Sequence, residues 1–389
     1  MNSVIIIGAG LAGCEAALQL ASNGCKVTIY DSKPQKILAA YKLSTYSELV
    51  CNNSLGCTDE KTPLGLLLKE LRMYGSKIIS IAEECRVDDP LFLAVDKSKF
   101  SRAVTHALLS SNKIQIINEH ICSIPDGDII IIATGPLTEE TLLTDLHQKY
   151  GIKEYHFSDA SSPIVDIDTV NINDSNIKKI TEDTYIVLIS DKDFQSFYEE
   201  LLKQNKLSSL HNIDQNIDFE KCQSIEQIAK EGIEELYLKR FSYNYCNSPC
   251  LLLRRESALS NGFILVGCMT TLRHSAQRIV FSKIRGFENC KLIKYGRMHR
   301  NTFLDSPKVL NEFFQIKGTN TFIVGQLSGV DGYAPSIASG LVAAKRIILG
   351  STLQSFPKNT MIGGLSHYIS NASVTDFQPM CASFSLMER

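Results

Sequence analysis

Residues 3–21 read SVIIIGAGLAGCEAALQLA, and the fold is decided here. Val4, Ile5, Ile6 and Ile7 form a short run of apolar β-branched residues, the mark of a buried parallel strand. Gly8, Gly10 and Gly13 then give G-x-G-x-x-G, with Ala9, Leu11 and Ala12 completing the turn, and an Ala- and Leu-rich segment follows at helical spacing. In such a turn the first glycine makes the tight bend. The second lets a pyrophosphate approach the backbone, and the third lets helix and strand pack closely. The helix N-terminus adds unpaired N–H groups and the positive end of a dipole. Residues 26–30 predict the next strand, and Asp31 ends it with a carboxylate placed to bind a ribose hydroxyl. A glycine turn in an unrelated α/β fold is the bland alternative. The order strand, glycines, helix, strand, acid argues against it.

The chain has 389 residues, 44% hydrophobic and 21% charged, which suits a globular protein of two or three domains. No apolar run reaches the length of a membrane span. No basic leader or cleavage site precedes the strand beginning near residue 4, so a cytoplasmic location is expected. The 12 cysteines are scattered, and no metal site is expected. Cys246 and Cys250 are the closest pair, with no second pair or histidine cluster to complete one. In a reducing compartment most would be small buried hydrophobes.

Net charge is −2, but its distribution is uneven. Residues 239–300 hold 12 Lys and Arg against only Glu256 and Glu288. Such segregation suggests a face for a polyanion. Arg254, Arg255, Arg273, Arg278, Lys283 and Arg285 are the candidate phosphate ligands, with Phe241, Tyr243 and Tyr245 nearby to stack on bases. Internal ion pairing of these cations, and core packing of the aromatics, are the competing readings.

Along the chain, residues 32–47 read as loop, 63–73 as a helix, 91–96 as a strand, 99–109 as a helix and 114–118 as a strand. DIIIIATG (128–135) is a buried strand closed by Gly135. After about residue 152 the chain becomes more polar and irregular, with a strand expected at 185–189, helices at 194–203 and 224–236, and a strand at 264–268. Residues 153–290 are therefore expected to form an inserted domain, with 1–152 and 291–389 forming the first. TFIVGQ (321–326) returns to a strand, and LSGVDGYAPS, with Gly332 before Tyr333, leads into a helix over 336–349. Gly325, Gln326 and Gly332 thus mark a second glycine-flanked helix start suited to a cofactor. There is no internal repeat.

Several longer motifs carry a family resemblance. They include IIGAGLAGCEAA, ELVCNNSL (48–55), GLLLKELR (65–72), LAVDKSKF (93–100), ATGPLT (133–138) and FEKCQSIEQIAKEG (219–232). YGRMHRNTF (295–303), GQLSGVDGYAPSIASGL (325–341) and HYISNASVTDFQPM (367–380) complete the set. Together they resemble the folate- and FAD-dependent tRNA (uracil-5-)-methyltransferases, the TrmFO family. The two cysteine motifs, Y-G-x-M-H-R-N-T-F and F-Q-P-M are more specific than the opening glycines. The chain departs from the family at Asn52, where serine is usual, in LLLKELRM, and in a shorter middle. These departures bear on the RNA substrate more than on the chemistry.

The resemblance implies a glutathione-reductase-like FAD-binding Rossmann domain with an inserted α/β domain. It implies 5,10-methylenetetrahydrofolate as one-carbon donor, NADH or NADPH as reductant, and carbon 5 of an RNA uridine as acceptor. Transfer RNA is the first expectation and ribosomal RNA the second. The resemblance also assigns Cys222 to attack on uracil and Cys51 to a second catalytic task. It puts Tyr333 near the flavin and Cys51. His299, Arg300 and Asn301 form a polar cluster open to two readings, a lining of the folate or flavin site and pairing with acids at a domain boundary. A thiolate suits the task because it adds to carbon 6 and leaves again, making carbon 5 nucleophilic in between. The wobble-uridine modification flavoproteins fit less well, since they lack the two-cysteine pattern and carry a long helical C-terminal extension. A flavin-dependent small-molecule oxidoreductase and a non-catalytic RNA-binding flavoprotein are the readings from other classes.

Overall fold

The computed structural model describes all residues except 1–2, 38–41, 209–218, 221–222, 244–247, 257–260, 297, 374–376 and 389; side chains of 156–160, 206–208, 219–220 and 298–300 are also outside the description. The opening stretch folds as its pattern predicts. β1 (Ser3–Ile7) leads through the glycine turn into α1 (Leu11–Ser22), and β2 (Lys26–Asp31) follows. β1 is the middle strand of a five-stranded parallel sheet, flanked by β2 on one side and Ile129–Ile132 on the other. Ile114–Asn118 and Thr321–Ile323 form the edges. The strand order reverses at β1, so a crevice opens at the carboxyl ends of the strands, the usual ligand position in such sheets. With these strands and the ATG closure, the chain is an α/β protein with a Rossmann-type domain.

Glycines allow the close packing around that crevice. Gly8 has φ +101°, and a Cβ there would lie 2.6 Å from the Ala133 carbonyl oxygen. A Cβ on Gly13 would lie 2.0 Å from the Gly8 carbonyl oxygen, and one on Gly340 2.2 Å from that of Ala12. α1 therefore sits directly on the turn, and the helix Tyr333–Leu349 sits directly on α1. Two buried carboxylates join helices distant in sequence. Glu15 accepts the N–H groups of Lys77 and Ile78 at the start of Lys77–Glu84, and Glu70 accepts those of Met361 and Ile362 at the start of Met361–Asn371. Burial nonetheless pushes both carboxyls above the ordinary range.

A second hydrophobic core surrounds a six-stranded antiparallel sheet. Its order is Leu292–Lys294, Ile164–Asp166, Gly262–Leu265, Cys250–Arg255, Thr184–Leu188, Ile177–Thr181. The helices Asp191–Ser208, Ile225–Glu231 and His274–Phe281 bring apolar residues to this core, where Phe194, Phe197, Phe241 and Phe281 pack ring to ring. The single helix expected over 224–236 is two, because Gly232 sits at φ +136° between Ile225–Glu231 and Ile233–Leu236. A third sheet pairs Glu154–Ala160 with Met298–Leu304 and with Phe219–Glu220. Among the described residues no helix is long and apolar enough to cross a membrane.

Candidate functional site

One large pocket lies at the carboxyl ends of the parallel strands. Its floor is the glycine turn, with Gly8, Ala9, Gly10, Leu11 and Ala12 all lining it. Gly10 caps α1 without any side-chain hydrogen bond, and a Cβ there would meet only the Ala133 oxygen, at 4.0 Å. The helix therefore presents its first N–H groups to open space, where a phosphate fits. Gly13 does not line the pocket; its role is the close contact with Gly8. The Asp31 carboxylate accepts the Ala9 N–H at 2.7 Å and the Lys33 N–H at 2.9 Å, and it lines the same wall. Each oxygen keeps acceptor capacity for a hydroxyl.

The other walls come from segments distant in sequence. Gly135 closes the strand Ile129–Ile132 side at φ +74°. Gly325 and Gln326 follow the edge strand, and the Gly325 N–H donates to the Ser339 hydroxyl at 2.7 Å. Gly332 has φ +100° and caps the helix Tyr333–Leu349 from outside the pocket, while Tyr333 and Ser336 line it. Thus two helix N-termini meet at one cavity. Across its mouth Glu139 binds Lys36 at 2.6 Å and His120 at 2.7 Å, and Lys36 leaves the Glu139 carboxyl below its ordinary range.

Cys51 and Val50 form part of this pocket, although they follow a loop with no regular structure. Three contacts hold that loop. The Tyr333 hydroxyl accepts the Cys51 N–H at 2.8 Å. The Asn53 amide, fully buried, donates to the carbonyls of Val95 and Arg255. Glu48 accepts the N–H groups of Lys42 and Leu43 and pairs with the buried Lys33 ammonium at 3.2 Å. Glu48 and Asn53 were legible in ELVCNNSL but not singled out by sequence reasoning. The loop differs from the packed cysteines. Burial pushes the thiols of Cys14 and Cys268 up to about 12 and that of Cys290 up to about 11, which suits packing and not nucleophilic chemistry.

Asn301 lines the pocket from Met298–Leu304. The same strand carries His299 and Arg300, whose backbones pair with Asp159 and Ser158 but whose side chains lie outside the description. Cys222 and Tyr245 also lie outside the described residues. The strand Phe219–Glu220, just before Cys222, belongs to the same three-stranded sheet as Asn301.

The basic stretch is largely spent on internal partners, which corrects part of the expectation from charge. Arg254 is 2% exposed; its Nε donates to Asp89 at 2.6 Å and its guanidinium lies over the Phe92 ring. Buried in this way, its guanidinium is not offered to solvent. Arg255 is bound to Asp183 at 2.7 Å, and Arg285 to Asp174 at 3.0 Å. Phe241 is fully buried in the second core, and Tyr243 is near the Val266 carbonyl with its hydroxyl pushed up by burial. Arg273 and Arg278, at the start and on the exposed side of His274–Phe281, remain open to solvent, and neither lines the pocket.

The family of glucose inhibited division protein A, GidA, matches residues 3–353. The chain is 37% identical over 404 residues to methylenetetrahydrofolate--tRNA-(uracil-5-)-methyltransferase TrmFO of Acetivibrio thermocellus, covering 100% of this chain and 92% of that one. It is 38% identical to the protein of the same name from Ligilactobacillus salivarius and 37% to that from Bacillus subtilis, with the same coverage. Among solved structures, Aquifex aeolicus GidA superimposes with a TM-score of 0.72 at 16% identity, over 97% of this chain and 70% of that one, which concerns the fold. The chain belongs to the GidA family, and within it to the methylenetetrahydrofolate--tRNA-(uracil-5-)-methyltransferases TrmFO.

Proposed function

We propose that this protein methylates carbon 5 of a uridine in tRNA, taking the carbon from 5,10-methylenetetrahydrofolate and electrons from NADH or NADPH, with FAD held in the pocket described above. The observation that carries this reading is the meeting, in one cavity, of an open glycine turn, two helix N-termini and the Cys51 loop. The residues fit FAD. Gly10 leaves the space a pyrophosphate needs, Asp31 offers oxygen acceptors to a ribose, and Gly8, Gly135, Gly325 and Gln326 line the same cavity. Bound there, FAD supplies the hydride chemistry and a carrier for the one-carbon unit.

The protein's own residues handle the pyrimidine. The Cys222 thiolate adds to carbon 6 of uracil, and the displaced electron pair makes carbon 5 nucleophilic. After carbon–carbon bond formation, Cys51 accepts the proton from carbon 5, and the sulfur–carbon bond to Cys222 breaks as the ring double bond returns. Tyr333 holds the Cys51 backbone in place for that transfer. Asn301 lines the pocket, and with His299 and Arg300 it is assigned to folate, while Arg273 and Arg278 are assigned to RNA phosphates. Phe219–Glu220 shares a sheet with the Asn301 strand, one strand removed across Glu154–Ala160, and this supports bringing Cys222 toward the pocket.

We further propose two structural units, 1–152 with 291–389 and 153–290, and a cytoplasmic location. The two separate cores support the division, and the pairing of Leu292–Lys294 with the second sheet favours drawing the return a few residues beyond 290. The deciding experiment supplies labelled methylenetetrahydrofolate and reductant with purified tRNA or ribosomal RNA. Label in 5-methyluridine of tRNA is expected; label confined to ribosomal RNA reassigns the substrate, and label in neither overturns the reading. Cys222→Ala should abolish transfer, by at least ~10³-fold, with flavin content unchanged.

A further inference from the structure

The Cys51 loop is also held from the second sheet. Lys294, the last residue of Leu292–Lys294, reaches across and donates its ammonium to the Val50 carbonyl at 3.1 Å. It is half-buried and forms no ion pair among the described residues. Four groups act on it electrostatically: Lys97, Lys42, Glu256 and Cys51. Glu256 is already committed to Lys97 at 3.2 Å. Two further ammoniums act on Lys294, and Glu256, although bound to Lys97, offsets part of their push. Burying an ammonium in that setting is costly unless something compensates for it. Among the described residues, the other group that acts on Lys294 as an anion is the Cys51 sulfur.

We propose that Lys294 is a positioning residue for Cys51, fixing its loop through the Val50 carbonyl and supplying the positive charge that holds the Cys51 sulfur as thiolate. The inference rests on the proposed function in one respect: a thiolate is the form of Cys51 that can accept a proton from carbon 5. The cationic balance supports it. Burial, then Lys97 and Lys42, push the ammonium down to about 8, close to the ordinary thiol value of ~8.5. The ammonium is present below about pH 8 and is lost above it, so thiolate support is greatest at neutral pH and fades as the solution becomes alkaline.

The test is the pH dependence of Cys51 alkylation by iodoacetamide, read by mass spectrometry of the Cys51 peptide in the full-length protein. It needs no methyl transfer, so it stands or falls separately from the proposed function. The native midpoint should lie at least ~1 pH unit below a free thiol. Lys294→Met should raise it by at least one unit, a ~10-fold slower reaction at pH 7. Lys294→Arg, charged at every pH used, should keep the low midpoint. A purely structural role would change the limiting rate at high pH and leave the midpoint in place. An unmoved midpoint in Lys294→Met overturns the proposal, as does an ordinary thiol midpoint in Lys294→Arg should the methionine variant not fold.

Discussion

The glycine turn at residues 8–13 and the basic stretch at 239–300 look equally eloquent in sequence, yet the structure treats them differently. In the turn, function and fold are both written in backbone: a positive φ at Gly8, a contact at Gly13 that no Cβ tolerates, and open space at Gly10. These constraints act within a few residues and do not depend on which partner arrives. In the basic stretch the sequence shows only an excess of charge. Arg254, Arg255 and Arg285 meet their acids 165, 72 and 111 residues away. A charge count locates cations without saying which are already paired.

The sharpest way to break this contrast is inside the turn. Gly13→Val should cost about 3 kcal/mol or more, because its Cβ would overlap backbone that has nowhere to go. Soluble yield and melting temperature should fall together. Gly10→Val should leave the melting temperature of the apoprotein within ~2 °C and remove the flavin. A Gly10→Val protein purified with stoichiometric FAD would contradict the pyrophosphate position.

Inside the basic stretch the same kind of pairing separates two arginines. Arg254→Ala leaves the buried Asp89 carboxylate without its counter-charge, its remaining partners being the Leu91 and Phe92 N–H groups, so a loss of ~3 kcal/mol is expected in chemical denaturation. Arg278→Ala should leave stability within ~0.5 kcal/mol. It should weaken RNA binding and lower the slope of log affinity against log salt by about 1. Equal stability for both variants would mean the internal ion pair matters less than its geometry indicates.

The smallest effect belongs to Tyr333→Phe. It removes the oxygen that accepts the Cys51 N–H while keeping the ring, which costs about 1 kcal/mol locally. Methyl transfer should fall by up to ~10-fold with FAD content intact. Loss of flavin in this variant would give Tyr333 a role in the cofactor pocket instead.

Much of the first core was legible. The helix expected at 63–73 is Pro63–Met73, and the strand at 114–118 is Ile114–Asn118, because strong periodicity and clear turn residues bound both. The helices Glu140–Tyr150 and Met361–Asn371 were missed. The latter starts where the buried Glu70, 291 residues earlier, accepts the Met361 N–H, a signal no local window contains. The helix expected over 224–236 failed at Gly232, where apolar spacing continues across a residue that the backbone uses to turn.

By itself the sequence determined the glycine turn, the strands it joins and the acid at the end of the second, since each is a matter of local dihedral angles and steric room. Only the tertiary structure decided which cations stay available, that the Tyr333 hydroxyl accepts the Cys51 N–H, a neighbour expected from the family resemblance, and that Lys294 holds the same loop. Hydrogen bonds and charge pairs depend on distance in space, and separations of 282 and 244 residues along the chain carry no trace of it.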